Sequence, residues 1–226
     1  MVYEHIDKML SCHKDLEYLK ENITEAVNAM TKAYYKGCKI MVCGNGGSCS
    51  DADHIVGELM KGFLSKRVLD QGQKSNVIRR NYDNGTYLAK ALQQGIPAVS
   101  LNTHSALISA VINDIGADMM FAQQVYGLGK KGDVVIGIST GGNAENVCNA
   151  LKVAKIVGAT TIGMTGNKNG KMNEFCDILL DVPSPETYKI QEYHIAIYHA
   201  FCAQVEENIF GGKISAGAFI EYERNN

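Results

Sequence analysis

The chain is 226 residues long, 46% hydrophobic and 20% charged, with a formal net charge of −2. That composition suits one buried core, excludes disorder, and argues against electrostatic capture of nucleic acid. Seven cysteines, at 12, 38, 43, 49, 148, 176 and 202, are odd in number and contain no C-x-x-C, so they read as reduced thiols and favour a cytoplasmic protein. No run approaches about 18 apolar residues, and the opening MVYEHIDKML is acidic where an export signal would be basic and then apolar, so no membrane association is expected.

Residues 1–37 read as an N-terminal helical segment. Ile6, Leu10, Leu16, Leu19, Ile23, Val27 and Met30 recur at near-helical spacing, as one long helix or two short ones, and Gly37 stands where a C-cap would. KIMVCG is the first buried-strand pattern, and a helix follows from 48 to about 64. Residues 65–83, SKRVLDQGQKSNVIRRNYD, are polar, carry Lys66, Arg67, Lys74, Arg79 and Arg80, and interrupt the pattern as an inserted surface excursion. The insertion extends to about 96, with a helical stretch at 84–94. IPAVSL, DVVIGIS, TTIGMT and DILLDV are four further strands, separated by helical segments at 105–127, at 144–157 and, briefly, near 170. A closing helix runs from about 186 to 209. Strand–helix alternation implies a parallel sheet covered on both faces, because right-handed crossovers place helices there. The expectation is one doubly wound, five-stranded α/β domain over 1–226, with long helices at both termini.

Ligands of such sheets bind beyond the carboxyl ends of the strands. Three loops there have the character of anion nests: GNGGS after the first strand, STGGN after DVVIGI and TGNKNG after TTIGM. Glycine flexibility, hydroxyl and amide side chains and, for the first two, helix N-termini suit a phosphate. Taken singly, each could be an ordinary turn, with Ser48 and Asn143 as N-caps. The spacing matches neither G-x-G-x-x-G nor G-x-x-x-x-G-K-[ST], so a phosphorylated small molecule is expected rather than a nucleotide cofactor.

His54 and Glu58 stand four residues apart on the helix that GNGGS opens, and so share a face. The pair is either a solvated surface contact, or a metal-ligand or acid/base pair. The closing helix ETYKIQEYHIAIYHAFCAQVEENIF sets Gln191, Glu192, His194 and His199 among apolar residues. Five residues separate the two histidines, placing them about 140° apart around the axis. His194 reads as a helix-surface or core-edge residue, whereas His199 calls for a functional explanation.

Together these runs carry a resemblance. C-G-N-G-G-S-x-x-D-A-x-H-x-x-x-E-L at 43–59, Asn113-Asp114, G-I-S-T-x-G-N-x-x-N-V at 137–147, T-G-x-x-x-G-K-M at 165–172 and I-Q-E-x-H-x-x-x-x-H at 190–199 resemble, in order, the phosphoheptose isomerases of the sugar isomerase (SIS) fold. The resemblance implies a flavodoxin-like SIS domain, a homotetramer with active sites at subunit interfaces, conversion of sedoheptulose 7-phosphate to a glycero-manno-heptose 7-phosphate, and zinc. By position it implies substrate binding by Asn45, Gly46, Gly47, Ser48, Asn113, Asp114, Ser139, Thr140, Gly141, Glu58 and Gln191. It also implies a metal cluster of His54, Glu58, Gln191 and His199, with Glu58 and His199 as the acid/base pair. Gly141 and Ala144 stand where the family usually has serine. That removes two hydroxyl donors, which backbone N–H groups and the cations of 65–83 would have to replace.

The chemistry agrees with the resemblance. Shifting a carbonyl between C1 and C2 needs a base for a carbon-bound proton, an acid for the oxygens, and an electrophile for the enediolate. Gln191 and His199 are eight residues apart, about 12 Å along a regular helix, so either the helix is irregular at Gln191 or different subunits contribute. Two other readings are a non-catalytic SIS-domain protein, such as a phosphosugar-binding or replication-initiation-associated one, and another phosphosugar enzyme. Glu58 favours catalysis, because the replication-associated relative lacks that glutamate.

Overall fold

KIMVCG folds as β1 (Ile40–Gly44), buried at all five positions, as expected of an uninterrupted apolar run in a parallel sheet covered on both faces. In this computed structural model, which describes residues 3–80, 83–167 and 170–211, β1 pairs with β2 (Ala98–Ser100) on one side and β3 (Val134–Ile138) on the other. β4 (Thr160–Gly166) and β5 (Ile178–Val182) extend the sheet beyond β3, giving the parallel order β2-β1-β3-β4-β5. These are the five strands expected from the sequence. The chain leaves β1 toward one edge and returns to the other side of it, so β1 and β3 flank the switch point where doubly wound sheets bind ligands.

Alternation along the strands feeds two cores. Ile40, Val42, Val134, Ile136 and Ile138 point to a layer built from α1 (Glu4–Cys12), α2 (Lys20–Tyr35), α3 (Gly47–Met60) and the 24-residue α9 (Thr187–Phe210). Met41, Cys43 and Val135 point to the opposite layer, where α7 (Ala122–Leu128) and α8 (Glu145–Ile156) pack. A Cβ on Gly137 would lie 2.7 Å from Leu151 Cδ1, so glycine in β3 is what lets α8 sit this close. No helix among the described residues is long and apolar enough to cross a membrane.

The N-terminal segment is two helices joined by a 3₁₀ turn (Lys14–Leu19). His13 leaves helical geometry at φ −129°, ψ 68°, in a stretch of weak helix formers, Ser11 to His13. The segment expected as one helix over 105–127 is also divided. α6 (Ser105–Asp114) ends before Gly116, whose φ of +152° breaks the run, and α7 resumes it after a short 3₁₀ turn.

The insertion is a helical hairpin rather than an irregular excursion. α4 (Gln71–Arg80) and α5 (Gly85–Ala91) pack together. The base of the hairpin is closed by an antiparallel bridge between Val68 and Gln93 and by the Gln94 amide N–H donating to the Arg67 carbonyl at 2.7 Å.

Arg67 overturns its reading as a surface cation able to help hold phosphate. It is 4% exposed. Its Nε donates to Glu206 Oε1 at 2.6 Å, and its Nη1 and Nη2 donate to the carbonyls of Leu59 and Glu58 at 2.5 and 3.0 Å. Glu206, on α9, also accepts the backbone N–H groups of Phe63, Leu64 and Ser65 at 2.7–3.0 Å. These donors hold its carboxyl below the usual carboxylate range against the opposing effect of burial. The guanidinium thus caps the last carbonyls of α3 and fastens that end to α9. His194 also differs from its expected place at the core edge: it is fully buried, with Nε2 3.4 Å from the Thr165 carbonyl. Burial lowers its pKa from 6.5 to about 4.

Removing one partner of a buried, fully hydrogen-bonded ion pair strands the other, so Arg67→Met should cost about 3–5 kcal/mol in urea unfolding. A second expectation concerns pH. Below 6.5 the unfolded chain takes up a proton that folded His194 refuses until about pH 4. Stability should therefore fall as pH drops through that window, by roughly 3 kcal/mol in total at about 1.4 kcal/mol per tenfold change in proton affinity. Denaturation curves of His194→Leu at neutral and acidic pH should show a flatter dependence than wild type.

Candidate active site

The loop after β1 opens α3 through Gly46, held at φ +57°, a conformation other residues adopt only with strain. A Cβ on the next residue, Gly47, would overlap the side-chain amide of Gln191, so glycine there is what lets that amide lie against the loop. Asn45 and Asn146 exchange side-chain amide hydrogen bonds at 2.9 and 3.0 Å and tie this loop to the first turn of α8. Ser48 lies buried in the first turn of α3.

The loop after β3 holds Ser139, buried, and Thr140 and Gly141, half-buried. The Ser139 hydroxyl stands 3.4 Å from the Ala144 amide, and Asn143 donates to the Gly141 carbonyl at 2.8 Å. This loop is stitched to the one after β4: the Gly166 and Met172 amides donate to the Thr140 and Gly142 carbonyls, and the Lys171 amide donates to Asn143 Oδ1. Lys168 and Asn169 of that third loop lie outside the described residues. Neither α3 nor α8 has a side-chain N-cap, so Ser48 and Asn143 do not cap them. Asn113 and Asp114 lie at the exposed end of α6 and bond to each other at 2.8 Å.

His54 and Glu58 meet one turn apart on α3, and His199 reaches them from α9. Both imidazole Nε2 atoms converge on Glu58 Oε1, at 3.2 and 3.3 Å. The Glu58 side chain is 5% exposed, while those of His54 and His199 are 52% and 40% exposed, so the carboxylate is buried under rings that are themselves open to solvent. Neither carboxylate oxygen receives a well-formed hydrogen bond. Burial raises the Glu58 pKa, an effect only partly offset by His54. It lowers that of His199, with His54 adding to the effect. The His199 ring packs 4.9 Å from Tyr198 and 5.8 Å from Phe63, centroid to centroid. A groove of about 340 Å³ between α1 and α9, walled by Met9, His13, Phe63 and Ala200, runs up to it.

The donor set fits a divalent cation. One ligand atom each from His54, Glu58 and His199 lie within 4.8 Å of one another. Atoms about 2.1 Å from a tetrahedral zinc would stand about 3.4 Å apart, close to the two separations observed. A carboxylate oxygen facing two ring nitrogens without a well-formed hydrogen bond has acceptors aimed at a common centre, which positive charge would satisfy. Gln191 stands apart: α9 is regular from Thr187, leaving its amide against Gly47, two turns before His199. Sequence reasoning missed Asn146, Tyr198 and Asp51, of which the motifs N-x-x-N-V and S-x-x-D-A gave only a trace of the first and last.

Fold and site together define an α/β protein of the phosphosugar-handling class, and comparison with known proteins narrows this. Family models described as SIS domain match residues 4–75 and 89–206. The chain is 39% identical to the phosphoheptose isomerase of Burkholderia pseudomallei, covering 86% of each chain, and 40% identical to that of Aliarcobacter butzleri, covering 87% of this chain and 90% of the other. The structure of the Neisseria gonorrhoeae phosphoheptose isomerase superposes with a TM-score of 0.70 at 32% identity, over 90% of this chain and 96% of that one. The chain belongs to the SIS domain family, among the phosphoheptose isomerases.

Gly47→Ala tests the loop. The new methyl must displace Gln191, so melting temperature should change little in buffer, while the thermal protection given by a sugar phosphate should be lost. Parallel melts with and without sedoheptulose 7-phosphate measure both.

Proposed function

We propose that this chain is an aldose–ketose isomerase that interconverts sedoheptulose 7-phosphate and a glycero-manno-heptose 7-phosphate through an enediolate. The observation that carries the reading is Glu58: a buried carboxylate of raised proton affinity, without a well-formed hydrogen bond, between an imidazole of α3 and one of α9. A base works best when its pKa approaches the working pH, and burial moves Glu58 that way. Glu58 takes the proton from C1 of the ketose and returns one to C2. His199, kept neutral by burial, moves the proton between the two oxygens.

The substrate phosphate sits on the loops of Asn45, Gly46, Gly47 and Ser48 and of Ser139, Thr140 and Gly141, through backbone N–H groups and the N-termini of α3 and α8. Gln191 contacts the sugar from the Gly47 side, and Asn113 and Asp114 contribute from α6. His54, Glu58 and His199 would hold a zinc ion. When bound, it supplies a Lewis acid that steadies the enediolate charge.

The active unit is a homotetramer of single-domain chains with sites shared between subunits. Supporting this are the separation of Gln191 from the cluster on a regular helix, the open groove beside His199, and the exposed Leu107, Ile112, Ile115, Tyr126 and Leu128 on and around α6 and α7. On that reading, Gln191 completes a neighbouring subunit's metal site. Seven free thiols suit the reducing cytoplasm.

Glu58→Gln keeps size and removes the base, so kcat should fall about 10²- to 10⁴-fold with ligand affinity nearly unchanged. Turnover of a panel of ketose and aldose phosphates, alongside ligand titration, measures both. A variant keeping more than about a tenth of wild-type kcat would remove Glu58 from proton transfer.

A further inference from the structure

Tyr198 precedes His199 on α9 but points elsewhere. It is 1% exposed, and its hydroxyl stands 2.9 Å from His54 Nδ1 and 3.5 Å from Asp51 Oδ1. Asp51, on the same helix as His54 and 8% exposed, has no hydrogen-bond partner on its buried Oδ2. A polar chain Asp51–Tyr198–His54 thus runs behind the Glu58 cluster, and the isomerase chemistry above uses neither Asp51 nor Tyr198.

The hydroxyl has one proton and two neighbours. An ionised carboxylate can only accept, so with Asp51 ionised the proton points to it and the phenolic oxygen is left as acceptor toward His54. The ring nitrogen facing it, Nδ1, must then donate. A neutral imidazole with its proton on Nδ1 carries a bare lone pair on Nε2, and Nε2 is the atom directed at Glu58 Oε1. The edge-on packing of the His54 and Tyr198 rings, with centroids 5.4 Å apart, fixes the ring plane as well.

We propose that Tyr198, backed by Asp51, is a positioning residue. Its hydroxyl holds the His54 proton on Nδ1 and so presents Nε2 as a ready ligand for a divalent cation shared with Glu58 and His199. The cation rests on the function proposed above, whereas the tautomer does not. Partners that orient ligating histidines in this way typically account for about 10- to 100-fold in metal affinity.

The test uses the full-length protein, metal-stripped, with ¹⁵N-labelled histidine, well above the ordinary histidine pKa of about 6.5. Imidazole ¹⁵N spectra should place the His54 proton on Nδ1 in wild type and move it toward Nε2 in Tyr198→Phe. Titration with zinc against a chromogenic chelator should show affinity lower by about 10- to 100-fold in the variant. A wild-type proton on Nε2 overturns the proposal without any variant having to fold. An unchanged tautomer in Tyr198→Phe, or zinc affinity within about twofold of wild type, also overturns it. Wild type that binds no zinc while the tautomer still moves overturns the metal centre itself, and with it the ligand-presenting half of the proposal.

Discussion

The ion pair between Arg67 and Glu206 is the constraint on which the site depends. Glu58 ends its helix with Leu59 and Met60, and without partners the last carbonyls of α3 would be orphaned inside the protein. Arg67 takes two of them, and Glu206 neutralises Arg67 while accepting three backbone N–H groups of the loop between. Glu206 is two turns beyond His199 on α9. One charged contact therefore sets the end of the helix that carries His54 and Glu58, the helix that carries His199, and the loop whose Phe63 flanks the His199 ring. Charges out of water are held this tightly only when every donor and acceptor is used.

From that fixed frame the chemistry of the cluster follows. Burial denies Glu58 the solvation that would make it an ordinary acid, and its surroundings give neither oxygen a well-formed hydrogen bond, so the carboxylate keeps its affinity for a proton or a metal. The adjoining loops work differently. They are held by backbone contacts between neighbouring connections and by the Asn45–Asn146 pair, leaving the edge above β1, β3 and β4 shaped by main chain. Gly141 and Ala144 matter less in such a surface than in one built from hydroxyls.

What could be read from the sequence followed the reach of each interaction. The strands are short β-branched runs and the loops are glycine-rich turns, so both were legible locally, as was the His54–Glu58 spacing. Arg67 was misread because its partner is 139 residues away and its own neighbourhood is polar. α4 buries no residue, so it carries no apolar period to detect. Tyr198 looked like one more apolar position of α9. Its hydroxyl has meaning only once α3 lies beside it. His194 was placed on the helix surface or at the core edge because it stands about 140° around the axis from His199, and only the closing of α9 over β4 shows it sealed in.

The His5 amide bonds the side chain of Gln204, 199 residues later, and Asn208 reaches Thr31. The first and last helices thus share one layer, which has consequences for how the chain matures during synthesis. As the polypeptide leaves the ribosome, α1 and α2 can form but cannot be roofed until α9 emerges, so their apolar stripes wait exposed in the interval. Loop closure over such distances makes this step late and slow. Because Glu58 emerges well before His199, chains interrupted between the two hold an uncovered apolar face and an incomplete cluster.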